Sequence, residues 1–198
     1  MTSLSPAERS RREIYQRFFG PLQEIVDDDA TGLDFLVASP GVHGRDFTTL
    51  LSSGLSDKPM PVPDDFLEQG RRIELVLYLS GPPRATHVAL LRWVAAALDE
   101  PGTWLGPGHS LPHGDPPSPL FPKSCLDTVL LCPPVLEPDL RLPQELSVEG
   151  EPVRLLWLLC LSPAEAELKL QKGLPELFAL LDEHQLPIVL DEGRASLV

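Results

Sequence analysis

Two apolar runs, Ile73–Leu79 and the uninterrupted Leu155–Leu161, constrain the fold of this 198-residue chain more than any other feature. Glu74 is the only charged residue in either run. A strand with one wet face alternates apolar and polar residues, so runs without alternation belong inside a sheet covered on both faces. The chain must therefore supply helices for both sides. Ser5–Glu8 reads as the first helix start, with Ser as N-cap, Pro at the first helical position and Glu closing a capping box. Ile14, Tyr15, Phe18, Phe19, Leu22, Ile25 and Val26 follow at helical spacing, interrupted near Gly20–Pro21, and Asp27–Asp29 ends this piece in solvent. Ala85–Leu98 carries Val88, Leu91, Val94, Ala95 and Leu98 on one side. Ser162–Glu165 repeats the capping chemistry, and Gly173 separates that helix from a second stripe of Leu174, Leu177, Phe178 and Leu181.

Shorter strands are predicted at Leu33–Ala38 and Phe47–Ser52, joined through the turn-prone Pro40–Gly44, and at Leu126–Leu131, stopped by Pro133–Pro134. The prolines of Ser56–Pro63 exclude a helix interior or a central strand, and Pro116–Pro122 reads as an extended surface loop. The expectation is one α+β domain with a mixed, largely antiparallel sheet flanked by helices. Residues 1–28 form a helical segment packed on residues 29–198 as one compact unit.

A formal net charge of −13 argues against nucleic acid and anionic membranes as partners, because both need a Lys/Arg surface. It steers cationic partners inward instead. Cys125, Cys132 and Cys160 have no CxxC spacing and lie in or beside apolar runs, which predicts reduced, buried thiols without a disulfide framework or zinc pattern. No secretory leader and no apolar run of about 18–20 residues is present, so the expected location is cytoplasmic.

The segment Thr103–Pro116 holds three Gly, three Pro, a Trp, two His and an Asp. A disposable linker would be Gly/Ser-rich or charged, so this one reads as an ordered loop packed on a scaffold. His109, His113 and Asp115 have side chains suited to zinc, and a metal-dependent hydrolase built on Trp104–Pro116 is the alternative function. Gly and Pro preclude the helix that would make the His spacing productive, and no metal or other cofactor is expected. No GxSxG elbow, activated Cys or phosphate-binding Gly loop occurs, and Lys58 reads as a surface residue. The chain is therefore expected not to be an enzyme. Trp104 is the strongest single candidate for a partner contact, although a role anchoring its own loop competes. Trp93 and Trp157 fall in helix and strand periodicity and read as core. Asp57, Lys58, His109, His113 and Asp115 form the polar rim of any binding surface.

Thr103–Pro116 also resembles the signature of the suppressor of fused domain family. Thr48–Met60, Ile73–Leu79, Val129–Pro134, Glu167–Gly173 and Val189–Arg194 match the family in the same order, from about Phe35 to the chain end. The resemblance implies a protein-binding domain, since the animal members are signalling regulators that sequester a transcription factor. Bacterial members are often stand-alone domains, some regarded as immunity proteins against secreted toxins. At His113 the family usually has Asn, and at Leu159–Pro163 a more polar turn, two departures that bear on partner choice. The length leaves no room for the additional domain of the animal proteins. The expected function is therefore that of a bacterial-type domain that masks or sequesters another protein, basic in character, in an immunity or antitoxin role.

Overall fold

The computed structural model describes residues 5–25 and 32–198. Its strands are β1 (Leu22–Ile25), β2 (Asp34–Ala38), β3 (Thr48–Ser53), β4 (Arg72–Leu79), β5 (Ser110–Pro112), β6 (Thr128–Cys132), β7 (Ser147–Val148) and β8 (Glu151–Leu161). The helices are α1 (Pro6–Phe19), α2 (Ala85–Ala96), α3 (Glu137–Leu140), α4 (Leu142–Glu145), α5 (Pro163–Lys172) and α6 (Leu174–Glu183), with short 3-10 turns at Leu55–Asp57, Asp64–Gln69 and Ala97–Asp99. They form one α+β domain around a mixed sheet ordered β1-β2-β3-β4-β8-β6-β5, with β7 folded back on β8. Among these pairings only β4 with β8 is parallel; the others are antiparallel.

The two apolar runs lie side by side at the centre, where Val76 pairs with Trp157. Their period-2 alternation, invisible in an all-apolar sequence, sorts residues between two cores. Ile73, Leu75, Leu77, Leu156, Leu158 and Cys160 pack under α2. Val76, Tyr78, Leu155, Trp157, Leu159 and Leu161 pack against α1, α4 and α6, through Tyr15, Phe19, Leu142, Leu177 and Leu181. Both capping boxes form, Ser5 with Glu8 and Ser162 with Glu165.

Leu22–Ile25 is a strand and not a continuation of the first helix. Gly20 takes φ +89°, and a Cβ there would lie 2.6 Å from Val42, so the chain turns sharply into Pro21 and pairs with β2. Val26, Asp27–Asp29 and the 28/29 boundary lie outside the described residues. Cys132 and Cys160 are buried, but Cys125 is exposed, against the sequence expectation. It sits in a turn where its Sγ faces the Arg194 carbonyl at 3.3 Å. The helical turns α3 and α4 were not legible, because Pro138 and Pro143 at their first turns read as loop punctuation.

Candidate functional site

The loop from Thr103 to Pro116 delivers β5, the last strand in the sheet order, which pairs with β6 on one side only. Leu131 N–H donates to the His109 carbonyl and His113 N–H to the Asp127 carbonyl. In an antiparallel ladder alternate residues face the neighbour, so Leu111 turns its amide and carbonyl to β6 while Ser110 turns both groups to the open edge. Pro112 has no amide to offer. The free edge thus presents one donor and one acceptor at Ser110, enough for one hydrogen-bonded pair with an added strand.

The six candidate residues fall into three places, two at this edge and one in the turn after β3. Trp104 and His109 stand at its entrance, half-buried, with rings 4.3 Å apart at 62°. Trp104 also packs on the α2-side core and meets the Phe66 ring at 5.3 Å. Burial lowers the His109 pKa, and nearby Lys169 acts in the same direction. His113 and exposed Asp115 stand at the exit; the His113 ring is perpendicular to Trp93 at 5.0 Å, and its Nδ1 donates to the Ser118 carbonyl at 3.1 Å. The Asp115–Pro116 peptide is cis. Trp93 is therefore only partly buried, while Trp157 is buried as expected.

Asp57 and Lys58 lie in the turn after β3, both exposed. They line a cavity of about 580 Å³ with Leu55, Asp99 and Thr103, one residue before Trp104. The turn is fixed from beneath by a buried polar network. Glu74 Oε1 accepts from Ser56 N (3.0 Å), Ser56 Oγ (2.6 Å) and Gly54 N (3.0 Å), and Oε2 from Ser52 Oγ (2.5 Å). Arg11 of α1, fully buried, places Nε 3.2 Å from Glu74 and pairs with Asp57. Burial opposes the Arg11 charge, yet Glu74 and Asp57 hold its pKa above the ordinary value. Buried Arg72 donates to the Ser56 and Asp57 carbonyls at 2.8 and 3.0 Å. The lone charge in an apolar run thus organises the turn carrying Asp57 and Lys58.

Among the described residues no group of three or more His, Cys, Asp or Glu side chains is arranged to hold a metal ion. The His109 and His113 rings are committed to different indoles, at opposite ends of β5. Burial pushes the Cys132 and Cys160 thiols up to about 12, which disfavours a thiolate nucleophile at either. Two residues near the edge were missed in the sequence. Phe66 and Leu67 are 43 % and 46 % exposed on the Asp64–Gln69 turn beside Trp104. A single apolar dipeptide between acidic residues gives no periodic signal.

The family model for suppressor of fused protein (SUFU) matches residues 29–195. No curated protein sequence matches the chain. Solved structures of other chains share the fold, among them the following three. A suppressor of fused homolog from Neisseria gonorrhoeae superposes with TM-score 0.67 at 19 % identity, covering 97 % of both chains. The Sufu–Fu complex gives 0.65 at 15 %, over 97 % of this chain and 92 % of that one. Drosophila Suppressor of Fused gives 0.61 at 14 %, over 98 % of this chain and 54 % of its own.

Proposed function

The chain belongs to the suppressor of fused family, and from that premise we propose that it is a non-catalytic, protein-binding domain that masks a partner through the open edge of β5. The observation carrying the reading is the outward backbone of Ser110, which pairs with no strand among the described residues although its Oγ accepts from Lys169 Nζ at 3.1 Å, bracketed by Trp104 and His109 at one end and His113 and Asp115 at the other. An extended segment of the partner adds to that edge, taking backbone bonds from Ser110 and side-chain contacts from the flanking rings. One hydrogen-bonded pair supplies little affinity, so the aromatic flanks carry most of the binding. A solved relative of this fold is in complex with a protein partner, Fu, which supports the protein-binding class.

The charge of −13 favours a basic partner, met faster and more selectively at low salt. The finer form of the proposal is an immunity or antitoxin role, with a toxin as the masked protein. It rests on analogy with stand-alone bacterial members of the family, whose fold this chain shares through the Neisseria homolog. The metal-dependent hydrolase reading has no assembled ligand set to stand on among the described residues.

The test is capture of the tagged protein from lysate of its native cell at low and high salt, beside a Ser110→Pro variant that removes the outward amide. A stoichiometric partner retained by the wild type, weakened by salt and lost by the variant is the expected result. Equal retention by the variant would remove β5 from the account, and absence of any specific partner would remove the masking role.

A further inference from the structure

The segment Pro63–Gly70 turns a run of five consecutive side chains, residues 64–68, to solvent. Asp64, Asp65, Phe66, Leu67 and Glu68 are all exposed, so two adjacent apolar side chains stand among three carboxylates. Single exposed apolar residues are ordinary on soluble proteins. Here the pair is continuous with a larger aromatic platform, because Phe66 leans on Trp104 and Trp104 on His109. The turn is also preformed. Phe66 N–H donates to the Pro63 carbonyl at 2.9 Å and Gly70 N–H to the Leu67 carbonyl at 3.0 Å. Arg154 Nη2 ties the Glu68 carbonyl to β8 at 2.5 Å. A partner docking there incurs little ordering cost on this side.

We infer that the Asp64–Glu68 turn, with Trp104 beneath it, is a docking surface for a basic segment of a partner protein that carries an apolar anchor between Lys or Arg residues. The apolar anchor covers Phe66 and Leu67 and is desolvated there. Its basic neighbours meet Asp64, Asp65 and Glu68, and a cation can lie over an aromatic face. An acidic segment is repelled by the carboxylates, and a purely apolar one leaves them without a counter-charge. The inference rests on the reading of the chain as a protein-binding domain; its anchor residues lie on the Asp64–Gln69 turn and not on β5, and it shares the Trp104 and His109 rings with the β5 edge.

The probe is a dye-labelled twelve-residue peptide of Lys, Ser and Gly with two central leucines, compared with one in which Ser replaces the leucines and one in which Glu replaces the lysines. Anisotropy titrations use the full chain, a Phe66→Ser/Leu67→Ser variant and an Asp64→Asn/Asp65→Asn/Glu68→Gln variant, with circular dichroism verifying that each is folded. The basic leucine peptide should bind the wild type, more weakly at higher salt, and lose at least about tenfold in affinity to each variant. Equal binding of the leucine-free peptide, equal binding by the Phe66/Leu67 variant, or no binding by the wild type would overturn the inference. A native partner lost by Ser110→Pro yet kept by the Phe66/Leu67 variant would overturn it while leaving the proposed function standing.

Discussion

Replacing Glu74 tests whether the buried network sets the turn that carries Asp57 and Lys58. Glu74→Gln keeps the volume and one acceptor oxygen, so its main effect is to leave the Arg11 guanidinium, fully buried, with half-exposed Asp57 as its remaining carboxylate. Removing one partner of a buried pair costs about 3–5 kcal/mol, because the other charge stays desolvated. Glu74→Leu also strands the amides of Gly54 and Ser56 and two hydroxyls, adding about 1–3 kcal/mol for each buried donor that finds no water. For a domain of this size the Gln variant should lower Tm by roughly 6–20 °C, at about 2–4 °C per kcal/mol. Urea unfolding followed by circular dichroism measures both variants, alone and combined with Arg11→Met. Arg11→Met in the Gln background should restore part of the loss, since it removes the stranded cation. A Gln variant within about 1 kcal/mol of wild type, with no coupling to Arg11, would refute the reasoning.

Burial would raise the Glu165 pKa, but Arg194, at 2.5–2.6 Å, and the amides of Ser162 and Leu197 hold it below the ordinary value. Its stabilisation is present above the unfolded carboxylate pKa and is lost as pH falls through the folded one, so Glu165→Gln should lower stability at pH 7 and flatten the acid limb of the stability profile. An unchanged acid limb would exclude Glu165 as a contributor. For His87, burial and then Arg84 lower the pKa from 6.5 to about 4. The unfolded chain binds the extra proton across that window, so stability is complete above pH 6.5 and declines toward 4. An NMR titration of the His87 ring with a midpoint at or above 6.5 would contradict this. Iodoacetamide under native conditions should alkylate Cys125 and spare Cys132 and Cys160, and mass spectrometry distinguishes this from uniform labelling or none.

The central pair of strands was legible because Ile73–Leu79 and Leu155–Leu161 admit only a doubly covered position. Helix starts were equally clear at Ser5 and Ser162, where capping chemistry is local. Which residue faces which core was not legible in those runs, since alternation carries no sequence contrast when every residue is apolar. β1 was misread because Leu22 and Ile25 fit a helical stripe as well as a strand, and only the close approach of Gly20 to Val42 decides between them. At the candidate site, the composition of Thr103–Pro116 signalled order, but not that Ser110 lies on the sheet's free edge. That property depends on strand order, a relation between segments far apart in the chain. Glu74 read as an exception within a strand; its role required knowing that Arg11, 63 residues earlier, reaches it.

Hydrogen exchange of the captured complex, read by mass spectrometry at the level of short peptides, addresses the masking account most directly. The account predicts that partner binding slows exchange across His109–His113, where the Ser110 amide is open in the free chain, and that Ser110→Pro abolishes capture. A stoichiometric complex with unchanged exchange at β5, and protection on some other face, would contradict it.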